Sequence, residues 1–190
     1  MIKNKNKIRK KLGVNVIQNK EIKTVIIGSS SVGKSSICFS YTTNTFPNYP
    51  INVTDNYYIS EKYEGKTYNI NLVDTPGEES YENLRSLCYP DTDVVILVFS
   101  IISKTSFKEA ATYWRNEIRS KLQGLPIILI GNKLDKKESI AERFEVDVVS
   151  TSDGKKLARK IGAEKYIECS ARTQEGLKEV FKFVCRIKST

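Results

Sequence analysis

The chain has no histidine among its 190 residues, so no histidine base is available for catalysis. Cysteine is sparse. Cys38, Cys88, Cys169 and Cys185 have no metal-ligand spacing, and three of the four fall in predicted helices or strands. Reduced, mostly buried thiols of a cytoplasmic protein are expected, with Cys38 packing rather than sensing redox state. No stretch is long enough to span a membrane, and internal repeats are absent. Acidic residues are missing from the first twenty positions, which carry Lys3, Lys5, Lys7, Arg9, Lys10, Lys11 and Lys20. Without those seven cations the formal charge of +9 falls to +2. The basicity therefore belongs to an N-terminal arm and not to a nucleic-acid groove, and no nucleic-acid partner is expected. The arm, residues 1–20, reads as disordered. Each basic residue near an anionic membrane surface contributes roughly 1 kcal/mol. A solvated arm without a target is the alternative.

What is present is concentrated in a few short motifs. Gly28-Ser29-Ser30-Ser31-Val32-Gly33-Lys34-Ser35 fits the phosphate-loop pattern G-x-x-x-x-G-K-[ST]. Ile22 to Ile27, β-branched and apolar, reads as the strand entering it, and Ile37 and Tyr41 mark a helix face leaving it. Gly28 and Gly33 allow backbone angles that other residues resist. The amides of Ser30, Ser31, Val32 and Gly33, with the helix N-terminus, would form an anion nest. Lys34 would reach the β- and γ-phosphates, and the Ser35 hydroxyl would hold Mg²⁺. Asp74-Thr75-Pro76-Gly77 follows the alternating run Tyr68–Val73. Asp74 is suited to a Mg²⁺-bound water and Gly77 to a terminal phosphate. Alone, that tetrapeptide is merely a good turn.

A second set of residues is suited to reading a base. The apolar run Pro126–Gly131 delivers Asn132, Lys133 and Asp135. A carboxylate at Asp135 can accept from guanine N1 and N2, a donor pair adenine lacks. The Lys133 stem can cover one face of the base. Ser170, Ala171 and Arg172 follow another apolar run, and backbone there is placed to contact the guanine oxygen. Guanine-nucleotide binding, as GTP or GDP with Mg²⁺, is the expectation.

Strands near 22–28, 56–63, 67–73, 93–100, 126–131 and 165–169 alternate with helices near 34–43, 104–121, 152–161 and 174–187. Gly65 marks a hairpin turn. This pattern predicts one α/β domain, residues 21–188, with residues 189–190 as a short C-terminal end. The motifs fall at strand carboxyl ends, where α/β sites gather. In the last helix Leu177, Val180, Phe181 and Val184 form a core-facing stripe.

From about Glu21 to Ile187 the chain resembles small GTPases of the Ras superfamily, and within them the Rho/Rac family. Beyond the generic motifs, the resemblance rests on Ser40-Tyr41-Thr42-Thr43-Asn44 with Phe46-Pro47, on Asp55-Asn56-Tyr57, and on Tyr89-Pro90 with Thr92-Asp93. It also includes Glu168-Cys169-Ser170-Ala171 with Thr173-Gln174 and Gly176-Leu177. It implies a P-loop small G domain, a six-stranded, mostly parallel sheet with one antiparallel edge strand, flanked by helices. It implies two switch segments that order around the γ-phosphate, Phe46 edge-on against guanine, and Ser36 on the α-phosphate. Tyr49, Val53, Asp55 and Tyr57 would belong to the effector-facing first switch. Implied partners are exchange factors, GTPase-activating proteins, a GDP-dissociation inhibitor and actin-regulating effectors. The implied location is the cytoplasm and the inner face of the plasma membrane. Relatives usually end in a prenylated Cys-a-a-X box. This sequence reads to Arg186-Ile187-Lys188-Ser189-Thr190, so the box is expected in a longer form, or anchoring falls elsewhere.

Several positions depart from the family pattern. Glu78 stands where the family has the Gln that orients the attacking water. With Lys34 and Gly77 it makes up the candidate catalytic set, and slow hydrolysis is expected. Pro76 replaces Ala and stiffens the turn. Ser30 replaces Gly where a partner's arginine finger would enter. The first-switch Mg²⁺ ligand is Asn52 if Asp55 anchors the alignment, or Thr54 if the loop is redrawn. Lys136 to Thr151 looks shorter than the helical insert of Rho proteins. Three classes follow: a GTP-dependent signalling switch, a nucleotide-locked scaffold with negligible hydrolysis, and a small-molecule or nucleoside kinase. Asn132 to Asp135 and the lack of an Arg-rich lid argue against the last.

Overall fold

Strand β1, Glu21–Ile27, lies in the middle of the sheet because its β-branched residues are apolar on both faces. The computed structural model describes residues 21–49, 56–137 and 148–189. Helix α1, Lys34–Thr43, follows the glycine-rich loop. Strands β2, Asn56–Tyr63, and β3, Lys66–Asp74, form a hairpin. Its turn has positive φ at Glu64 and Gly65, as a tight two-residue connection requires. A 3₁₀ turn at Glu79–Tyr81 leads into the short helix α2, Glu82–Ser86. Strand β4 is Val94–Ser100 and β5 is Ile127–Asn132, both buried throughout. Helix α5, Thr151–Ile161, strand β6, Lys165–Glu168, and helix α6, Leu177–Ser189, complete the described chain.

The six strands are ordered β2-β3-β1-β4-β5-β6. Only the β2–β3 pair is antiparallel; the other pairs are parallel. The expected fold class is thus the observed one, and strand bounds differ from the sequence reading by one residue at most ends. The chain moves from β1 to one side of the sheet and then to the other. The crevice at the carboxyl end of β1 is therefore the switch point where ligands of such sheets bind.

Alternate residues of each central strand feed two cores. Ile22, Ile26, Val94, Ile96 and Val98 pack with Ile37 of α1 and with Leu177, Val180, Phe181 and Val184 of α6. Val25, Ile27, Val95, Leu97 and Phe99 pack with Trp114, Ile118, Leu157 and Ala158 on the opposite face. The apolar stripe predicted for α6 does what was expected of it.

One prediction needs correcting. The single helix expected over 104–121 is three pieces: α3, Lys104–Glu109, a π-helical turn, Ala110–Trp114, and α4, Arg115–Lys121. Helical periodicity alone does not register one wider turn. The last helix starts at Leu177, because Gln174 and Gly176 hold left-handed φ ahead of it. The 3₁₀ turns and α2 have too few residues to show a period and were not anticipated.

Phe181 is fully buried and stacks on Tyr41 with ring centroids 4.1 Å apart. Phe181→Ala should cost about 3–5 kcal/mol, read as a lower urea midpoint at unchanged slope.

Candidate functional site

The phosphate loop reverses the chain between β1 and α1 with three residues at positive φ: Gly28, Ser31 and Gly33. At Gly28 φ is +141°, and a Cβ there would lie 2.2 Å from the Val98 carbonyl oxygen, so glycine is required by both angle and space. Lys34 folds back over the loop. Its ammonium donates to the carbonyls of Gly28 at 2.7 Å and Ser29 at 2.9 Å. Burial pushes its pKa down to about 8, against the opposing pull of Asp74 and Glu78. Ser35 and Ser36 line the same cleft. Val32 does not present its side chain there; that group is buried in the core, and its carbonyl accepts from Asn132.

Asp74, at the carboxyl end of β3, faces the start of α1. Its Oδ2 accepts the Ser35 hydroxyl, while Oδ1 is buried with no hydrogen-bond partner among the described residues. Burial raises its pKa, partly offset by the Ser35 hydrogen bond and Lys34. A carboxylate oxygen in need of a partner beside a hydroxyl is a donor set that suits a hard, partly hydrated divalent cation such as Mg²⁺. Thr75 turns away and donates to the Ile26 carbonyl at 2.7 Å, fixing the exit of β3 against β1.

Gly77 lies directly on the phosphate loop. A Cβ on it would come 2.5 Å from the Ser30 amide nitrogen and 2.7 Å from Lys34 Nζ. The next residue, Glu78, is exposed. A hydrogen bond from the Ser30 side chain, helped by its own backbone, Lys34 and Arg85, holds its carboxyl below the usual range. Two positions singled out separately in the sequence therefore touch each other.

The base side is assembled from β5 and the loop after β6. Asn132, almost fully buried, donates Nδ2 to the Val32 carbonyl at 2.9 Å and accepts the Ala171 amide on Oδ1 at 3.1 Å. Lys133 has left-handed φ and donates to the Ser31 carbonyl at 2.6 Å. Asp135 Oδ1 accepts the Ser170 hydroxyl at 2.6 Å. Ser170 is itself buried and also accepts the Thr173 amide at 3.1 Å. Its side chain braces Asp135 and does not line the cleft, a refinement of the sequence expectation. Ala171, Arg172 and Phe46 do line it, in a cleft of about 740 Å³ that runs from Ser30 to Arg172. That volume suits a nucleotide-sized ligand.

A family model described as the Ras family matches residues 23–189. The chain belongs to the Ras family. Membership makes it a small GTPase domain, a GTP-binding switch with GTP hydrolase activity. Ras-family GTPases bind GTP or GDP with Mg²⁺ and work with exchange factors, activating proteins and effectors. Among the described residues no helix is long and apolar enough to cross a membrane, and no group of three or more His, Cys, Asp and Glu side chains is gathered as a metal site.

In this Ras-family domain, several sequence expectations fall on residues that lie outside the described ones. These are Asn52, Val53, Thr54 and Asp55 of the first switch, the arm 1–20, and most of the shortened insert. Tyr49 is exposed. Tyr57 packs partly buried against the core, and its neighbour Tyr58 is turned to solvent. Strand alternation decides this, since Tyr57 shares its face with buried Ile59. Three of the four cysteines are buried and all are free.

The sequence reading missed Arg85. It is fully buried, forks onto Glu117 at 2.9 and 2.7 Å, and donates to the carbonyls of Pro76 at 2.9 Å and Glu78 at 3.0 Å. Arginine in a short polar helix gives no local sign of burial. Only the demand of a buried guanidinium for a carboxylate could have flagged it, and Glu117 stands far away in sequence.

Lys34 sets up a stability test in nucleotide-free protein. Its folded pKa, about 8, lies below the ordinary 10.5. Between those values the unfolded chain binds more protons, so stability rises with pH there. Lys34→Met should be the more stable protein at pH 7, by up to about 3 kcal/mol. That advantage should shrink from pH 8 to pH 10, measured by urea denaturation at each pH. A gap independent of pH would show that the charge carries no such cost.

Proposed function

We propose that this Ras-family GTPase is a Rho-like switch whose GTP hydrolysis is slow because Glu78 replaces the water-orienting Gln. The single observation that carries this reading is the place of Glu78: it follows Gly77, which lies against the Ser30 amide, and it lines the cleft beside the phosphate loop together with Ser30 and Lys34. Negative charge spreads over the γ-phosphoryl oxygens in the transition state. A glutamine can donate an N–H toward that charge. An ionised glutamate only accepts, and it adds a negative charge of its own.

In this reading Lys34 and the amides from Ser30 to Ser36 hold the phosphates, and Gly77 offers its amide to the terminal one. Asp135 reads guanine with Phe46, Lys133 and Arg172 around the base, while Asn132 and Ser170 keep the reader in place. Ser35 and Asp74, the latter through a water, would hold Mg²⁺. When bound, the ion supplies neutralisation of the phosphate charge. Asn52 or Thr54 would complete its ligands. Effectors of the actin cytoskeleton, a GDP-dissociation inhibitor and a peripheral site at the inner face of the plasma membrane follow from the Rho resemblance.

The same pair of residues favours a second reading, a GTP-loaded scaffold with negligible turnover. Ser30 puts a side chain where an arginine finger would enter, and such a finger supplies about 10³–10⁵ in rate elsewhere.

Single-turnover hydrolysis of preloaded GTP, with and without a Rho-type activating protein, separates the two. Slow turnover that the activator boosts supports the switch. Stable bound GTP in both arms supports the scaffold. Glu78→Gln should quicken intrinsic hydrolysis by at least about tenfold; an unchanged rate would sink the role given to Glu78. Asp135→Ala should weaken GTP binding roughly a hundredfold or more, with ATP affinity little changed, in a nucleotide competition assay.

A further inference from the structure

Ser29, the second residue of the phosphate loop, is buried and turned away from the cleft. Its hydroxyl donates to the Glu109 carboxylate and accepts the indole N–H of Trp114 at 3.0 Å. Glu109 and Trp114 are five residues apart. On a regular α-helix that spacing separates two side chains by about 140° around the axis. The π-helical turn at Ala110–Trp114 closes the chain with a five-residue repeat and brings both onto one face, against Ser29.

The same indole meets the segment that follows Gly77 and Glu78, the second switch of the switch reading. The Arg85 guanidinium stacks over the Trp114 ring, 4.5 Å from its centroid. From there Arg85 donates to the Pro76 and Glu78 carbonyls, the backbone on either side of Gly77. Its other nitrogens are pinned by Glu117 and by the Tyr113 hydroxyl at 2.9 Å, and both partners lie on the same helical segment as Trp114. One ring therefore touches the phosphate loop through its edge and the second switch through its face.

We propose that Trp114 is a positioning residue that couples the state of the phosphate loop to the backbone carrying Gly77 and Glu78, through Ser29 on one side and Arg85 on the other. The proposal rests on the nucleotide-switch reading. A displacement of Ser29 by a few tenths of an ångström changes the length and angle of its bond to the indole. Packed, hydrogen-bonded elements pass such shifts on because they do not deform continuously. Glu109 keeps the Ser29 hydroxyl oriented so that its lone pair, and not its proton, faces the indole N–H. The regular helix expected from the sequence would not make this link, so the π-helical turn has a use beyond local packing.

The chain has a single tryptophan, so its emission spectrum reports this ring alone. Full-length protein would be loaded with GDP or with a non-hydrolysable GTP analogue, in the presence of Mg²⁺. Bound nucleotide would be quantified by chromatography and Trp114 emission recorded for each state. The expected result is an emission difference between the two states. That difference should be lost in Ser29→Ala and Glu109→Ala and kept in Glu109→Gln, which still accepts from Ser29. Glu109 is only half-buried, so its variants should fold, and melting curves would verify this. Packing alone would alter melting without removing a state-dependent signal. Identical emission in two verified nucleotide states would overturn the coupling. So would a difference that survives in Ser29→Ala and Glu109→Ala. Failure of wild type to bind either guanine nucleotide would instead bring down the switch reading, and the coupling with it.

Discussion

The side-chain amide of Asn132 joins three strand ends with two hydrogen bonds. Its nitrogen holds the phosphate loop after β1, its oxygen holds the loop after β6, and its backbone closes β5. Each bond contributes only about 1 kcal/mol net. In an almost fully buried position, however, losing one strands a polar group away from water, at a cost of about 1–3 kcal/mol. The close fit leaves little freedom for error: a Cβ on Gly33 would sit 2.4 Å from the same amide nitrogen. The phosphate loop and the segments after β5 and β6 are thereby held at a fixed separation.

Around that staple four charged side chains are buried, and two of them form an ion pair. Lys34 lies under the loop on two carbonyls, Asp74 faces Ser35, and Arg85 forks onto Glu117. A buried ion pair is weak evidence for stability, because desolvation offsets most of the attraction. What Arg85 provides is geometry. It fixes the backbone carbonyls of Pro76 and Glu78, in a segment whose own side chains Tyr81 and Leu84 face the cleft or solvent. The Lys34 ammonium bears the opposite cost, held charged in a place that favours the neutral form until an anion joins it.

Much of this was legible in the sequence. The glycines at 28 and 33, the lysine and the hydroxyl act through backbone angle and reach, which short spacing encodes. The strands were legible to within about a residue because β-branched runs between turn residues permit little else. Helices longer than two turns were legible from their apolar period. Which of two adjacent tyrosines faces the core was settled by strand alternation, which packs Tyr57 partly inward and leaves Tyr58 outside. The Ser170 side chain supports Asp135, a partner that nothing near it in sequence indicates.

By itself the sequence placed the phosphate-loop motif, the Asp74 carboxylate and the Asn132 to Asp135 segment at strand ends, and so pointed to a guanine nucleotide with Mg²⁺. It also sets Glu78 and Ser30 where the small-GTPase resemblance implies Gln and Gly. The tertiary structure alone decided that these two residues touch. It alone decided that Ser29 reaches Glu109 and Trp114, that Arg85 lies on Trp114, and that the helix between them is wound wider for five residues. The physical reason is distance along the chain. Propensity and period act over a few residues, whereas a buried hydroxyl or guanidinium takes whichever partner the sheet order brings to it, and nothing near it in sequence names that partner.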